Sequence, residues 1–413
     1  MAGYVLVLGA SIDQLYLIKS IKQLGLRSLV VDKKKNSPGF KFADKYINHD
    51  FSNVKGLKRK IHHFKKRNQI TGVITMGCDV PHIIAELKKY LNLEVAIPAG
   101  AAKISKNKFL MKKFFQKNKI PTAEFIISKN KNKLKKFWFE KKLKSAILKP
   151  PNQSGSRGVY QINDIKNLEK ILKKIRKIFK YEVIFEKFLE GDQISTESLI
   201  HKKKIYTPGF VDRDYSLNKH LYPNIIENGA INPSKHIKHK RKINLIIQKI
   251  AKRLNIKKGV IKGDFVIHNN KPYIIEFATR LSGGDFSESL VPLGQGINYV
   301  KEAVRLEVFG EVNIDKLKNR YNKYITNKYF FLNQGRFRGI KNLKKVEKIK
   351  GVKKIIIFKK KNTLIRKIDE HKKRIGVFIV VAKNKLKLEK KVNKVYNTII
   401  FKVDSFSKKG IFR

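Results

Sequence analysis

Three apolar runs, YVLVL (4 to 8), SLVVD (28 to 32) and GVITM (72 to 76), alternate with stretches of helical periodicity near 12–24, 53–66 and 80–91. Short apolar strands alternating with amphipathic helices bury both of their faces in a parallel sheet covered by helices. Residues 1–100 are therefore expected to form a Rossmann-like α/β unit. Gly9 ends the first strand and Asp32 the second, as at the start of a dinucleotide-binding fold. The second and third glycines of that fingerprint are missing, because Ala10, Ser11 and Ile12 follow Gly9. A turn that needs a small residue explains Gly9 better than NAD binding does.

Pro98 to Ser105 read as a linker, and a helix over 106–117 follows, opening with Asn107-Lys108 and broken at Ile120-Pro121. From there to about 310 the strands lengthen and carry β-branched residues, which predicts an α+β region with antiparallel sheets. A last unit shows strands near 353–359 and 375–382, a Lys-rich helix near 386–396 and a final strand over 398–403. The chain thus divides into 1–100, 101–327 and a small β-rich unit at 328–413.

Three segments carry chemistry. In ILKPPNQSGSRGV (147 to 159) an apolar strand ends in Lys149 and opens into a loop of Gly and Ser. A lysine at a strand end can hold a phosphate, and small residues let backbone N–H groups turn toward its oxygens. A polar hairpin carrying one of many lysines is the plainer alternative. In IFEKFLEGDQISTESLI (184 to 200) a strand passes through Leu189-Glu190-Gly191 into a second strand. Its backbone can meet an adenine edge and a following acid a ribose, although for the segment alone an ordinary hairpin with an exposed Glu is the better account.

The third segment, GVIKGDFVIHNNKPYIIEFATRLSGGDF (259 to 286), is the most informative. Ile261, Phe265 and Ile267 alternate with polar or small residues, and after a turn Tyr273, Ile275 and Phe277 alternate again, so a β-hairpin is predicted. A three-residue loop, Asn269 to Lys271, pairs Phe265 with Ile275 and Ile267 with Tyr273. It also sets Asp264 directly opposite Glu276. Two facing carboxylates repel, and a divalent cation between them, such as Mg²⁺ with nucleotide phosphates, removes that cost. Pairing of each acid with a lysine is the alternative. Arg280 follows near the strand end, where its fork can clamp a phosphoryl group or a carboxylate, and Ser282-Gly283-Gly284 make a loop.

Composition bears on the partners. The formal charge is +62, from 94 Lys+Arg against 32 Asp+Glu, yet only 16 of the bases are Arg. Readers of duplex DNA lean on arginine, and here lysines are spread over nearly every polar helix face with no RNA-binding aromatic signature and no zinc spacing. A general lysine bias explains the charge better than a nucleic-acid surface, and no specific nucleic-acid partner is expected. The single Cys78 excludes an internal disulfide and suits a reducing compartment. The apolar N-terminal run reads as a buried strand with no cationic leader, and no stretch approaches the roughly 20 apolar residues of a membrane span. A soluble, cytoplasmic chain is expected.

Taken in order, these parts resemble the ATP-grasp superfamily along the whole chain: the glycine after the first strand, Asn107-Lys108, Lys149-Pro150 with SGSRG, Glu186 to Gly191, then Asp264, Glu276 and Arg280. The segment 351 to 382 is similar to the closing domain of the biotin-carboxylase-like, carbamoyl-phosphate-synthase-like and L-amino-acid-ligase-like branch. The resemblance implies a pre-ATP-grasp Rossmann-like domain, a central two-subdomain ATP-grasp fold with its lid at about 120–195, and a small C-terminal domain. It implies an ATP- and Mg²⁺-dependent ligase, with Mn²⁺ as an alternative metal, that turns a carboxylate into an acyl phosphate for an amine or other nucleophile. A carboxyphosphate-forming carboxylase is the alternative within enzymes, and a basic nucleic-acid-binding protein with a degenerate nucleotide fold the alternative of another class. The substrates implied are small carboxylates and amines; a homodimer is compatible.

Carried over by position, Lys108 and Lys149 would bind the α/β-phosphates, and Ser154, Gly155, Ser156 and Gly158 would cover them. Glu186, Lys187, Phe188 and Leu189 would form the adenine hinge, with Gln193 where many members place a ribose-binding Glu. Asp264 and Glu276 would hold the metal and Arg280 the phosphoryl group. Ala278 stands where the family usually has Asn. Substrate choice is expected in the loop after Gly9 and in 213 to 234, with Arg213, His220 and Glu227 as candidates.

Overall fold

In the computed structural model, which describes residues 3–405, the strand Tyr4–Leu8 is buried along its whole length. It pairs in parallel with Arg27–Asp32 on one side and Ile70–Ile74 on the other, and Lys45–Asn48 adds a fourth parallel strand beyond Arg27–Asp32. The helices Gln14–Lys22, Val54–Lys65 and Pro81–Tyr90 cover this sheet as the alternation predicted. The fourth strand, KYIN, is exposed at its start and too polar to have been read as a strand from its sequence.

Residues 98–105 are not a linker but the helix Ala99–Lys106. Pro98 precedes its first turn, where a missing N–H costs nothing. Ala101, Ala102 and Ser105 are buried, and that packing outweighs the poor helix propensity of Gly100.

Two antiparallel sheets follow. The larger has eight strands in the order Lys271–Ala278, Gly259–His268, Asp192–His201, Lys204–Asp214, Gly229–Asn232, Tyr324–Phe330, Gly376–Ala382 and Val352–Ile357. Its core joins Phe210, Phe265 and Phe277 to Ile243, Ile247 and Ile250 of the helix Lys240–Arg253. The smaller sheet runs Phe125–Ser128, Val183–Lys187, Ala146–Lys149 and Tyr160–Ile162, packed on the helices Lys131–Glu140 and Leu168–Arg176. The chain crosses from the smaller sheet to the larger between Lys187 and Asp192, so Leu189–Gly191 is a joint between sheets rather than a hairpin turn.

The C-terminal unit shares the larger sheet. Its strands Tyr324–Phe330, Val352–Ile357 and Gly376–Ala382 extend that sheet, and only Leu364–Ile365, Gly335–Lys341 and Ile400–Ser405 form a sheet of their own. Among the described residues no helix is long and apolar enough to cross a membrane.

The hairpin over 259–278 keeps its predicted register from Lys262 to Asp264 and departs from it between Phe265 and the turn. Asp264 lies opposite Glu276, but Phe265 faces Ile274, Val266 faces Tyr273 and Ile267 faces Pro272. The turn is two residues, Asn269 and Asn270, both at positive φ (47° and 58°), as a tight hairpin turn requires. The register shifts between Asp264 and Phe265, leaving Ile275 as the extra residue of a bulge. Alternation alone does not reveal a bulge, because one inserted residue exchanges the two faces of the strand.

Candidate active site

A cavity of about 610 Å³ lies between the two antiparallel sheets and is lined from every part of the chain. The smaller sheet contributes Lys149, Glu186 and Lys187, and the larger sheet Ser195, Arg213, Lys262, Asp264 and Glu276. Asp13 and Asp79 reach it from the N-terminal unit, and Tyr329, His371 and Arg374 from the C-terminal one. Gly77 N donates to Leu281 O at 3.0 Å, and Met76 bridges Leu281, so the end of the parallel sheet is seated beside Arg280.

Lys108 begins a helix whose N-cap, Asn107, accepts from the N–H groups of Phe109 and Leu110. The Lys108 ammonium lies 3.0 Å from Glu276 Oε2 and donates to Gln153 O at 2.8 Å. One turn on, Lys112 shares the same helix face and lies 2.7 Å from Glu186 Oε2, while Lys149 pairs with Glu186 Oε1. All three members of this triad are buried. Burial alone would raise the Glu186 carboxyl, but Lys112 and Lys149 hold it below its ordinary value. Burial lowers the Lys112 ammonium to about 8 against the pull of Glu186, which leaves it cationic at neutral pH.

Asp264 and Glu276 face each other, and each carries a cation: Lys262 on Asp264, Lys108 on Glu276. Desolvation pushes the Glu276 carboxyl up, but Lys108, Lys262 and Lys149 outweigh it and bring it down to about 2. The Ser195 hydroxyl donates to Asp264 and accepts from Arg213 Nε at 2.7 Å, while Arg213 Nη1 lies 3.0 Å from Glu227 Oε1. Arg280 binds Asp79 through both Nε (2.7 Å) and Nη2 (2.6 Å). Next to it the close approach of Gly283 to Gly77 leaves no room for a side chain: a Cβ on Gly283 would stand 2.8 Å from Asp13 Oδ2.

The cavity therefore brings together Lys108, Lys149, Ser154, Gly155, Ser156, Glu186, Lys187, Phe188, Leu189, Gln193, Asp264, Glu276 and Arg280. Gly158 stands behind it, at φ 71°, where it turns the loop that Ser154–Ser156 present. Arg213 and Glu227 line the cavity, whereas His220 sits in the short helix Asn218–Leu221 outside it. Ala278 lines the wall but offers no donor. Sequence reasoning missed Lys112, Lys262, Asp13, Asp79, Ser195, His371 and Arg374. Two of these had a signal, since Lys112 is four residues from Lys108 on one helix face and Lys262 two from Asp264 on one strand face. The others reach the cavity only through tertiary contacts.

Residues 106–285 match the family model of the phosphoribosylglycinamide synthetase ATP-grasp (A) domain, and residues 328–404 match L-amino acid ligase C-terminal domain 2. A phosphoribosylamine–glycine ligase of Lactococcus lactis subsp. lactis (strain IL1403) is 25% identical over 190 residues, 45% of this chain; the match spans 46%, about half, of that relative. The fold is similar to a crystal structure of L-amino acid ligase from Bacillus licheniformis, with TM-score 0.81 and 17% identity over 98% of this chain and 99% of that one. It is also similar to the biotin carboxylase domain dimer of Hydrogenobacter thermophilus 2-oxoglutarate carboxylase, in complex with MgADP, ADP and bicarbonate. There the TM-score is 0.72 and the identity 16%, over 100% of this chain and 92% of that one.

Proposed function

We propose that the chain, whose residues 106–285 match an ATP-grasp domain model, is an ATP- and Mg²⁺-dependent ligase joining a small carboxylate to an amine. The observation that carries this reading is the opposition of Asp264 and Glu276 beneath a loop of small residues in a cavity otherwise rich in lysine and arginine.

ATP takes the space between the two antiparallel sheets. Lys108 and Lys149 meet its α/β-phosphates, and Ser154–Ser156, turned by Gly158, cover them. The N–H groups of Lys187 and Phe188 already donate to Glu124 O and Ser145 O, so the nucleobase edge falls to Leu189, with Gln193 toward the ribose. Glu186 works through Lys112 and Lys149, fixing their positions, rather than touching the base.

The hard oxygen donors of Asp264 and Glu276, now covered by ammonium groups, fit Mg²⁺, which binds through one or two carboxylates and completes its shell with phosphate and water. Mn²⁺ suits the same donors. Bound there, the ion neutralises charge on the transferring phosphate. Ala278 adds no ligand, so the two carboxylates carry the site. Arg280, oriented by Asp79, faces the phosphoryl group. A substrate carboxylate oxygen bonds to the γ-phosphorus as ADP departs; the amine nitrogen then attacks the carbonyl carbon of the acyl phosphate, phosphate leaves and the nitrogen loses a proton. Positioning and charge neutralisation supply most of the catalysis.

The bicarbonate-bound relative supports a second reading, in which bicarbonate is the acid phosphorylated and the product is carboxyphosphate. Isotope transfer separates the two. With an ¹⁸O-labelled organic carboxylate, the ligase places label in inorganic phosphate; the carboxylase does so only from labelled bicarbonate. Either enzyme acts on dissolved small molecules, consistent with a cytoplasmic setting.

A further inference from the structure

The loop that would cover the phosphates is tethered at two points, and the second tether comes from 215 residues away. Its first end is held by Lys108, whose ammonium reaches Gln153 O and whose backbone N–H donates to Pro151 O at 3.0 Å. Its tip is held by His371 of the C-terminal unit. The His371 backbone N–H donates to Gly155 O at 3.0 Å, and its Nε2 lies 3.0 Å from Ser156 Oγ.

The protonation of this imidazole follows from its partners. Glu227 N, which can only donate, points at His371 Nε2 at 3.4 Å, so Nε2 bears the lone pair, the proton is on Nδ1 and the Ser156 hydroxyl is the donor. Burial, then Arg374, Arg213 and Lys262, hold the ring well below its ordinary pKa, and Glu276, which favours the cation, does not reverse that. Arg374 fixes the segment: Nε donates to His371 O at 3.0 Å, Nη1 to Glu227 O at 3.2 Å, and the guanidinium lies 3.4 Å over the Tyr329 ring.

We propose that His371 is a latch, a positioning residue that holds the loop 154–158 closed on the C-terminal unit and ties it to the Asp264 carboxylate through Glu227, Arg213 and Ser195. The inference rests on the reading that this loop covers the phosphates of ATP. The contacts are continuous: Ser156 to His371, His371 to the Glu227 backbone, Glu227 to Arg213, Arg213 to Ser195 and Ser195 to Asp264. Lys108 makes the corresponding link from Gln153 to Glu276. Both facing carboxylates are thus wired to one loop, Glu276 at its start and Asp264 at its tip. Loop closure and the arrangement of the two carboxylates become one event.

The test reads amide hydrogen exchange of residues 152–159 in the full chain without nucleotide, so it is independent of turnover. One lost hydrogen bond should speed exchange roughly fivefold in His371→Ala and in Ser156→Ala. The double variant should go no faster than His371→Ala, because that variant already removes the contact that Ser156→Ala removes. His371→Gln, which keeps an acceptor near the place of Nε2, should restore slow exchange, and Ser195→Ala should raise exchange about twofold through the link to Asp264. In the active enzyme, His371→Ala should raise the KM for ATP about as much as it speeds exchange, with a smaller change in kcat. Wild-type exchange in both His371→Ala and Ser156→Ala would overturn the latch, and wild-type exchange in Ser195→Ala would overturn its connection to Asp264. A chain with altered exchange but no ATP turnover would sink the ligase reading and leave the latch standing.

Discussion

Glu276 lies directly opposite Asp264 on the neighbouring strand, and each carboxylate holds its own lysine: Lys108 Nζ lies 3.0 Å from Glu276 Oε2, and Lys262 pairs with Asp264. Facing carboxylates on adjacent strands cost stability unless a positive charge intervenes. In the chain alone lysines supply it; in the proposed ligase Mg²⁺ would supply it, leaving Lys108 to phosphate. Glu276→Gln should cut Mg²⁺-dependent ATP consumption at least ~100-fold with an unchanged circular dichroism spectrum. Turnover at the wild-type level would refute the metal assignment.

The buried triad of Lys112, Glu186 and Lys149 makes a separate prediction. It sets two ammonium groups against one carboxylate, so removing Glu186 leaves two buried cations unpaired, a loss of ~3 kcal/mol or more. Glu186→Gln should therefore lower the urea midpoint markedly, because both ammonium groups are covered on all sides. Lys149→Ala leaves Lys112 paired with Glu186, so it should cost less stability, and it should weaken nucleotide binding by about tenfold. Isothermal titration with ADP and Mg²⁺ checks the second effect, and an unaltered affinity would remove Lys149 from the phosphate site.

Acid sensitivity follows from Glu276. Its carboxyl sits at about 2 against an ordinary 4.5, held there by Lys108, Lys262 and Lys149 against the opposing effect of burial. A depressed carboxylate contributes stability that is present above pH 4.5 and lost as pH falls toward 2. The melting-temperature gap between wild type and Glu276→Gln should be largest near pH 6 and close as the pH drops through that window. A gap that stays constant down to pH 2 contradicts stabilisation of the Glu276 carboxylate by these three lysines.

Arg280 is oriented by Asp79, whose Oδ1 accepts from Nε at 2.7 Å and lies 2.6 Å from Nη2, a planar arrangement an ammonium does not reproduce. Arg280→Ala should lower kcat by ~100-fold with little change in the KM for ATP, and Arg280→Lys should recover little of it. A loss confined to KM would place Arg280 in ground-state binding instead.

The +62 charge gives a further check. Lysines scattered over helix faces predict weak, sequence-independent binding to duplex DNA that disappears near physiological salt. Tight binding with a steep salt slope, and no nucleotide hydrolysis, would favour the nucleic-acid reading.

Much of this was legible in the residues themselves. The parallel sheet followed from three apolar runs, and the opposition of Asp264 to Glu276 followed from a hairpin register. That register was right from Lys262 to Asp264 and wrong from Phe265 to the turn, because the bulge at Ile275 offsets the two-residue Asn269-Asn270 turn only beyond the bulge. The helix Ala99–Lys106 was hidden by Pro98 and Gly100, whose local preferences were overridden by burial of Ala101 and Ala102. The roles of Asp79 and His371 were not legible at all. Asp79 meets Arg280 across 201 residues and His371 meets Ser156 across 215, and no local periodicity encodes such contacts.

ADP release under Mg²⁺, screened across pairs of carboxylic acids and amines with wild type and Glu276→Gln in parallel, decides whether the chain is this ligase. The wild type should form ADP only when an organic carboxylate and an amine are both present, and Glu276→Gln should form almost none. ADP formation that needs only bicarbonate, or that persists in Glu276→Gln, would rule the assignment out.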